Sequence, residues 1–310
     1  MAEERFAGID IGSNSVKLLI TERKEDGSFV ALSETVYVTR LGEGFHAQRL
    51  GEPAIRRTLD AIREFVRICS ENGVTAAAAV GTSALREASN QREFLDRAAE
   101  MGITIEAISG EEEARLSYLA VRRDELWKRA PNLYVIDIGG GSTEVIHGIG
   151  STEYPASRLS LALGAVRLTE AELRSDPPTV VQLTRAYAAA DVALSESPTA
   201  KGTYIPVGVG GTVANLAAVK LGMLERDVER LHGAILSLTD IESQITLYAA
   251  RTVEERKQIP GLNPARADII LGGAIILFQT MNHLGFESVH VSCRGLRWGL
   301  LYDRFGKHTV

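Results

Sequence analysis

Apolar positions along this chain follow two alternating rhythms, and their order predicts an α/β protein. Runs rich in β-branched residues at Phe6–Ile11, Val16–Thr21 and Phe29–Thr39 predict three strands, with Lys24-Glu25-Asp26-Gly27 as the turn before the third. From Pro53 the apolar residues fall at Ile55, Leu59, Ile62, Val66 and Cys69, the spacing of one helix face, and a proline suits a first helical turn. Val74–Val80 then predicts a strand, Arg92–Met101 a helix, Ile103–Ile108 a strand, and Glu111 onward a helix running through Leu119. The pattern restarts with strands at Leu133–Ile138, Thr143–Ile149 and Ser151–Leu161. Thr169 with Glu172 reads as a capping box opening a helix. A helix at Val180–Leu194, a strand at Thr203–Val209 and helices at Val213–Leu221, Thr239–Ala250 and Val253–Gln258 follow. Ala265–Leu284 is apolar around most of its circumference, so it should be buried. Val289–Ser292 predicts a late strand and Leu296–Arg304 a closing amphipathic helix.

Composition narrows this picture. With 310 residues and 45% hydrophobic content, the chain has the length of two domains, and the change falls between Gly110 and Pro131. A net charge of −6 argues against a broad nucleic-acid surface, though not against a small basic pocket for an anion. Cys69 and Cys293 are far apart among apolar neighbours, as free thiols in a reducing compartment would be. Glu3, Glu4 and Arg5 run straight into the first strand, unlike a signal peptide, and the apolar run Ile269–Phe278 is too short to span a bilayer. The expected location is the cytoplasm, with neither membrane nor nucleic acid as partner.

Two stretches share one design. Val135-Ile136-Asp137-Ile138-Gly139-Gly140-Gly141-Ser142-Thr143-Glu144-Val145 reads as a buried strand, a tight glycine turn and a second strand. Gly8-Ile9-Asp10-Ile11-Gly12-Ser13-Asn14-Ser15-Val16 repeats it, Asp10 aligning with Asp137 at an offset of 127 positions. Gly81-Thr82-Ser83-Ala84-Leu85 echoes Gly211-Thr212-Val213-Ala214-Asn215 at nearly the same offset. Two ordered pairs of matching turns predict a duplicated unit: two α/β domains facing each other across a central cleft.

Bare glycine amides beside a carboxylate suit a phosphate with a divalent cation, the amides donating to oxygens and the carboxylate holding the ion or its waters. Ser13, Asn14 and Ser15 can add side-chain donors in the first turn, and Gly139, Gly140, Gly141 and Ser142 form the second. Asp10 and Asp137 brought to one phosphate would repel each other unless Mg²⁺ lay between them; the alternative is that each only holds its turn. Arg86 is within reach of a phosphate if the Thr82 turn lines the cleft, and is otherwise an ordinary helix-surface arginine. Lys17 points to phosphate or to solvent. His46, His147, His232, His283, His290 and His308 form no metal motif, and neither a Walker nor a Rossmann glycine spacing occurs. The Glu111-Glu112-Glu113 run after Ser109 is good helix-start chemistry, and the alternative is that one of the three is a general base.

These motifs resemble those of the exopolyphosphatase and guanosine-pentaphosphate phosphohydrolase (Ppx/GppA) family, within the actin, sugar-kinase and Hsp70 superfamily. The resemblance runs along essentially the whole chain: Gly8–Ile20, Gly81–Asn90, Ile108–Val121, Val135–Val145, Leu161–Glu170 with its Gly-Ala-Val-Arg, Pro206–Val219 and Cys293–Leu301 with its Arg-Gly-Leu-Arg. It implies duplicated actin-like (ribonuclease H-like) domains in a short two-domain form, residues 1–120 and 121–295, with the last helix (about 296–310) returning to the first domain. It implies Glu113 as the water-activating base and Asp137 as a residue placing Mg²⁺, with Mn²⁺ an alternative. Asn14, Ser15, Arg86 and the Gly139–Ser142 amides match positions associated with phosphate contact, and Glu111 and Glu112 are left as helix-start charge.

The implied activity is release of orthophosphate from the end of inorganic polyphosphate, by a monomer or a homodimer. The alternatives are hydrolysis of guanosine pentaphosphate (pppGpp), an actin-fold small-molecule kinase, and a non-catalytic sensor of guanosine tetra- or pentaphosphate.

Overall fold

The computed structural model describes residues 4–45, 48–195, 197, 202–225 and 227–306, so His46 and His308 lie outside the described residues. The chain divides into two compact units, one reaching to Ala120 and taking in the segment from Leu296, the other spanning Val121–Gly295.

The first unit is built on a five-stranded sheet. β1 (Arg5–Ile11) and β2 (Ser15–Arg23) form an antiparallel hairpin, and β3 (Phe29–Val38) continues it. β4 (Ala76–Gly81) and β5 (Ile105–Ala107) extend the sheet on the other side, parallel to β1, giving the order β3-β2-β1-β4-β5. α1 (Glu52–Glu71), with Pro53 in its first turn, buries Ile55, Leu59, Ile62 and Phe65 against Ile9, Ile11, Val16 and Leu18. α2 (Ser83–Glu87), in a stretch read as a turn, and α3 (Gln91–Ala99) follow β4, and α4 (Gly110–Arg122) follows β5. α12 (Leu296–Phe305) packs Trp298, Leu301 and Tyr302 with Phe6, Leu19 and Leu119. A side chain at Gly299 would run into the Leu116 carbonyl, 1.8 Å away, so only glycine lets α12 approach α4 this closely.

The second unit repeats the plan with one strand more. β6 (Asn132–Ile138), β7 (Thr143–Ile149) and β8 (Ser157–Leu161) form the antiparallel side; β9 (Ile205–Val209) and β11 (Ser288–Val291) run parallel to β6, and β10 (Ile235–Ser237) caps β11. The order β8-β7-β6-β9-β11 has the same pairing senses as β3-β2-β1-β4-β5. The helices of this unit are α5 (Ala165–Glu172), α6 (Val180–Leu194), α7 (Gly210–Lys220), α8 (Val228–Leu231), α9 (Leu238–Ala249), α10 (Val253–Arg256) and α11 (Ile270–Leu284). As its apolar circumference predicts, α11 is buried along most of its length, packed on α5, α6, α7 and α9.

Several boundaries differ from the sequence pattern. β8 begins at Ser157 rather than Ser151, because Gly150, at φ 71, turns the chain after β7. Thr169 does not cap a helix: α5 already starts at Ala165, since Gly164 fits where no other residue would. The segment from Ala265 is first a 3-10 turn, Pro264–Arg266, and α11 starts only at Ile270.

Candidate active site

In a parallel sheet the strand carboxyl ends share one edge, and the first unit gathers its candidate residues there. Ile11 pairs with Gly81 and Gly81 with Ala107, so the turns after β1, β4 and β5 are neighbours. Asp10 is buried near the end of β1 and Lys17 lies opposite it on β2, Nζ donating to Asp10 Oδ2 at 2.6 Å. Gly12 N–H closes the turn on Ser15 O at 3.0 Å, and Ser13, Asn14 and Ser15 are all buried. The loop after β3 wraps this turn: the amides of Thr39 and Arg40 donate to Asn14 O and that of Gly42 to Ser13 O. Arg40 holds φ 49, a left-handed conformation rarely taken by arginine. Asn14 Nδ2 and Thr39 Oγ1 are both buried there without a hydrogen-bond partner.

Glu113 stands in the first turn of α4, 7% exposed. Ser109 caps that helix as the sequence predicts, its Oγ accepting from Glu112 N–H at 3.1 Å. Arg86, on α2, donates through Nη1 to Glu113 Oε2 at 3.1 Å and to Ile108 O at 3.0 Å. Glu112 is instead held by a two-pronged contact from Arg115. Glu113 is therefore tied to the arginine beside the turns.

The second unit repeats the turn with different electrostatics. Gly139 N–H donates to Ser142 O at 3.0 Å, the same closure as in the first unit. Asp137 is at the same place at the end of β6, but the residue opposite it on β7 is Glu144, not a lysine. Residues directly opposite in an antiparallel pair share a face, so two acidic side chains stand together where the first unit has an ion pair. Glu144 is 1% exposed and accepts from Ser160 Oγ at 2.7 Å. The carbonyls of Gly139 and Gly140 accept from the amides of Ala165, Val166 and Arg167, and that of Gly141 from Arg167 Nε. In a trans peptide the N–H points opposite to the preceding C=O, so the amides of Gly140, Gly141 and Ser142 all face away from α5. Successive amides on one side are an anion cradle.

By strand register Gly81 corresponds to Gly210, because Asp10 pairs with Val80 and Asp137 with Val209. The match of Gly81 with Gly211 in sequence is thus one residue out of step. Gly210, at φ 93, lies against Asp137, whose Oδ1 is 2.8 Å from where a Cβ would stand.

Sequence reading missed Glu144 and Arg266. The Arg266 guanidinium covers Gly211, its nearest nitrogen 2.2 Å from where a Cβ would be, at the N-terminal end of α7. Glu144 gave a signal, since it sits opposite Asp137 once the hairpin register is counted. Arg266 gave none, as its placement depends on the fold of the Ile259–Asn263 turn.

No group of three or more His, Cys, Asp or Glu side chains converges as a metal centre among the described residues. The donor chemistry still separates the two turns. Lys17 already balances Asp10, whereas the buried Asp137–Glu144 pair is of the hard, anionic kind that Mg²⁺ or Mn²⁺ takes. Cys69 offers no nucleophile: burial pushes its thiol up to about 11. No helix among the described residues is long and apolar enough to cross a membrane.

This α/β plan agrees with the comparisons. Residues 19–308 match the Ppx/GppA phosphatase family, and the chain belongs to that family. It is 31% identical to Exopolyphosphatase 2 of Mycobacterium tuberculosis over 94% of this chain and 96% of that protein. It is 32% identical to a guanosine-5'-triphosphate,3'-diphosphate pyrophosphatase of Photobacterium profundum, over 97% of this chain but 59% of that longer protein. Among solved structures, a Ppx/GppA family member from Aquifex aeolicus superposes with a TM-score of 0.81 at 35% identity, covering 97% of both chains. An exopolyphosphatase from Cytophaga hutchinsonii gives a TM-score of 0.85 at 28% identity, again over 97% of each.

Proposed function

We propose that this protein is a metal-dependent exopolyphosphatase, releasing orthophosphate from the end of inorganic polyphosphate with Glu113 as the base. The observation that carries the reading is the Arg86–Glu113 pair at the carboxyl edge of β1, β4 and β5, beside the buried Asp10 turn. The shared strand order and the matched turns support two copies of one actin-like (ribonuclease H-like) unit.

Glu113 takes a proton from water, the water oxygen bonds to the terminal phosphorus, and the bridging P–O bond breaks, its electrons leaving on the shortened chain. Arg86 fixes the carboxylate and, with Ser13, Asn14 and Ser15, donates to phosphate oxygens; in the second unit Gly139–Ser142 and Arg266 offer donors of the same kind. Asp137 with Glu144 would hold Mg²⁺ or Mn²⁺, which when bound neutralises charge on the phosphate oxygens. Asp10, balanced by Lys17, serves its turn rather than the ion.

The test is orthophosphate release from polyphosphate and from pppGpp side by side, with EDTA as control. Polyphosphate should be turned over and EDTA should stop it; preferential release from pppGpp would move the substrate to the guanosine nucleotide. Glu113→Gln should keep the fold and lower turnover by about 10²–10⁴-fold. Near wild-type turnover in that variant would remove Glu113 from the reaction.

A further inference from the structure

A helix N-terminus usually offers its free amides to an anion directly. α5 does not. The amide of Ala165 is used on Gly139 O at 3.0 Å, and those of Val166 and Arg167 on Gly140 O at 2.9 and 3.2 Å. Arg167 adds its side chain, Nε donating to Gly141 O at 2.9 Å. Three consecutive carbonyls of the glycine turn are thereby drawn toward α5, and each fixes the amide that follows it on the opposite side.

The approach is close enough to constrain sequence. A Cβ at Gly164 would lie 2.4 Å from Gly140 O and 2.5 Å from the carbonyl carbons of Gly140 and Gly141. α5 is in turn fixed from behind, since a Cβ at Gly272 would meet Thr169 Oγ1 at 2.5 Å and Ala165 O at 3.0 Å. The buried helix α11 therefore presses α5 against the turn through a glycine on each side, Gly272 and Gly164.

We infer that Arg167 is a positioning residue for phosphate binding: its guanidinium, acting through the Gly141 carbonyl, holds the Ser142 amide toward the anion and strengthens it as a donor. A peptide whose carbonyl accepts from a cation is polarised, so its N–H donates more strongly. Arg167 thus adds positive charge to the cradle without being required to touch the substrate. The inference rests on the functional reading only in taking the ligand to be a phosphoryl group.

The experiment measures binding of orthophosphate and pyrophosphate by calorimetry, with and without Mg²⁺, alongside steady-state kinetics on polyphosphate. Arg167→Gln keeps a neutral donor near Gly141 O, Arg167→Lys keeps the charge, and Arg167→Ala removes both. Arg167→Ala should weaken pyrophosphate binding about tenfold and raise KM more than it lowers kcat, with Arg167→Lys restoring most of the loss and Arg167→Gln only part. Comparable unfolding midpoints of the three variants are the expected control. Should Arg167→Ala fail to fold, the comparison of Arg167→Lys with Arg167→Gln decides alone, and equal anion affinity in those two overturns the role of the charge. Unchanged pyrophosphate affinity in folded Arg167→Ala overturns the inference, as does the absence of anion binding by the wild type. Wild-type binding without turnover would remove the hydrolase reading and leave this one standing.

Discussion

Lys17 Nζ lies 2.6 Å from Asp10 Oδ2 across the β1–β2 hairpin, and in the corresponding place on the β6–β7 hairpin Asp137 faces Glu144. One turn plan has therefore been given two electrostatic characters. The first sets a buried acid against a lysine; the second sets two buried acids opposite each other.

Removing one acid from the second turn should separate stability from metal response. Glu144→Gln removes one of two opposed acids while leaving an acceptor for Ser160 Oγ, so the metal-free protein should stay within about 1 kcal/mol of wild type. The same variant should lose most of the rise in melting temperature that Mg²⁺ gives wild type, because mass-action stabilisation follows affinity. Scanning calorimetry with and without Mg²⁺ reads both, and an undiminished Mg²⁺ response would place the ion elsewhere.

The first turn should respond in the opposite sense. Lys17→Met leaves Asp10 buried without its cation, and because Lys17 is partly exposed the loss should be about 1–2 kcal/mol rather than the larger value of a fully buried pair. Asp10→Asn combined with Lys17→Met should recover part of it. Urea denaturation checks this, and a double variant no better than the single one would mean that the pair is not what Lys17 contributes.

Arg86 links two peptide segments as well as contacting Glu113, so its removal should act on chemistry more than on folding. Arg86→Met deletes the bonds to Ile108 O and to Glu113, and kcat/KM for polyphosphate should fall about 10²–10³-fold. Arg86→Lys should recover only a fraction, since an ammonium cannot hold both acceptors in the plane a guanidinium uses. Circular dichroism should show both variants folded; a proportionate loss of stability would instead mark Arg86 as a structural strut.

What could be read without coordinates follows from how local each signal is. The aspartate–glycine turns are legible because a buried strand running into glycines has few meanings, and the Ser109 cap is legible because capping involves residues a few positions apart. Thr169 misled for the same reason: Thr-x-x-Glu is a local pattern, but the helix start was set by the close approach of Gly164 to Gly140, which is long-range. Ala265 misled because Pro264 and a 3-10 turn carry apolar residues with nearly helical spacing. Lys17 was undecidable because a strand residue has two faces, and only the register against Asp10 chooses between them.

Asp124 gives a prediction away from the glycine turns. It is 1% exposed near the start of the second unit, with His232 Nε2 at 3.1 Å and Arg294 Nη1 at 3.3 Å from its Oδ2. His232 Nδ1 accepts from Cys293 N–H at 3.2 Å, which leaves the proton on Nε2, the ring nitrogen nearest the Asp124 carboxylate. Burial pushes the Asp124 carboxyl up, but the polar contacts of His232 and Leu126 N–H and the charge of Arg294 outweigh it and hold the group below the ordinary aspartate value. The native protein thus binds this proton less readily than the unfolded chain does. The stability it contributes is complete above the unfolded value and is lost as pH falls from about 4 through the native value. Asp124→Asn should be less stable than wild type at pH 7 by roughly 2–3 kcal/mol. The difference should shrink steadily as pH is lowered from about 4, because wild type is then losing what the variant never had. Urea midpoints of the two proteins between pH 7 and pH 3 provide the measurement, and a gap that stays constant throughout would show that Asp124 contributes by packing rather than by charge.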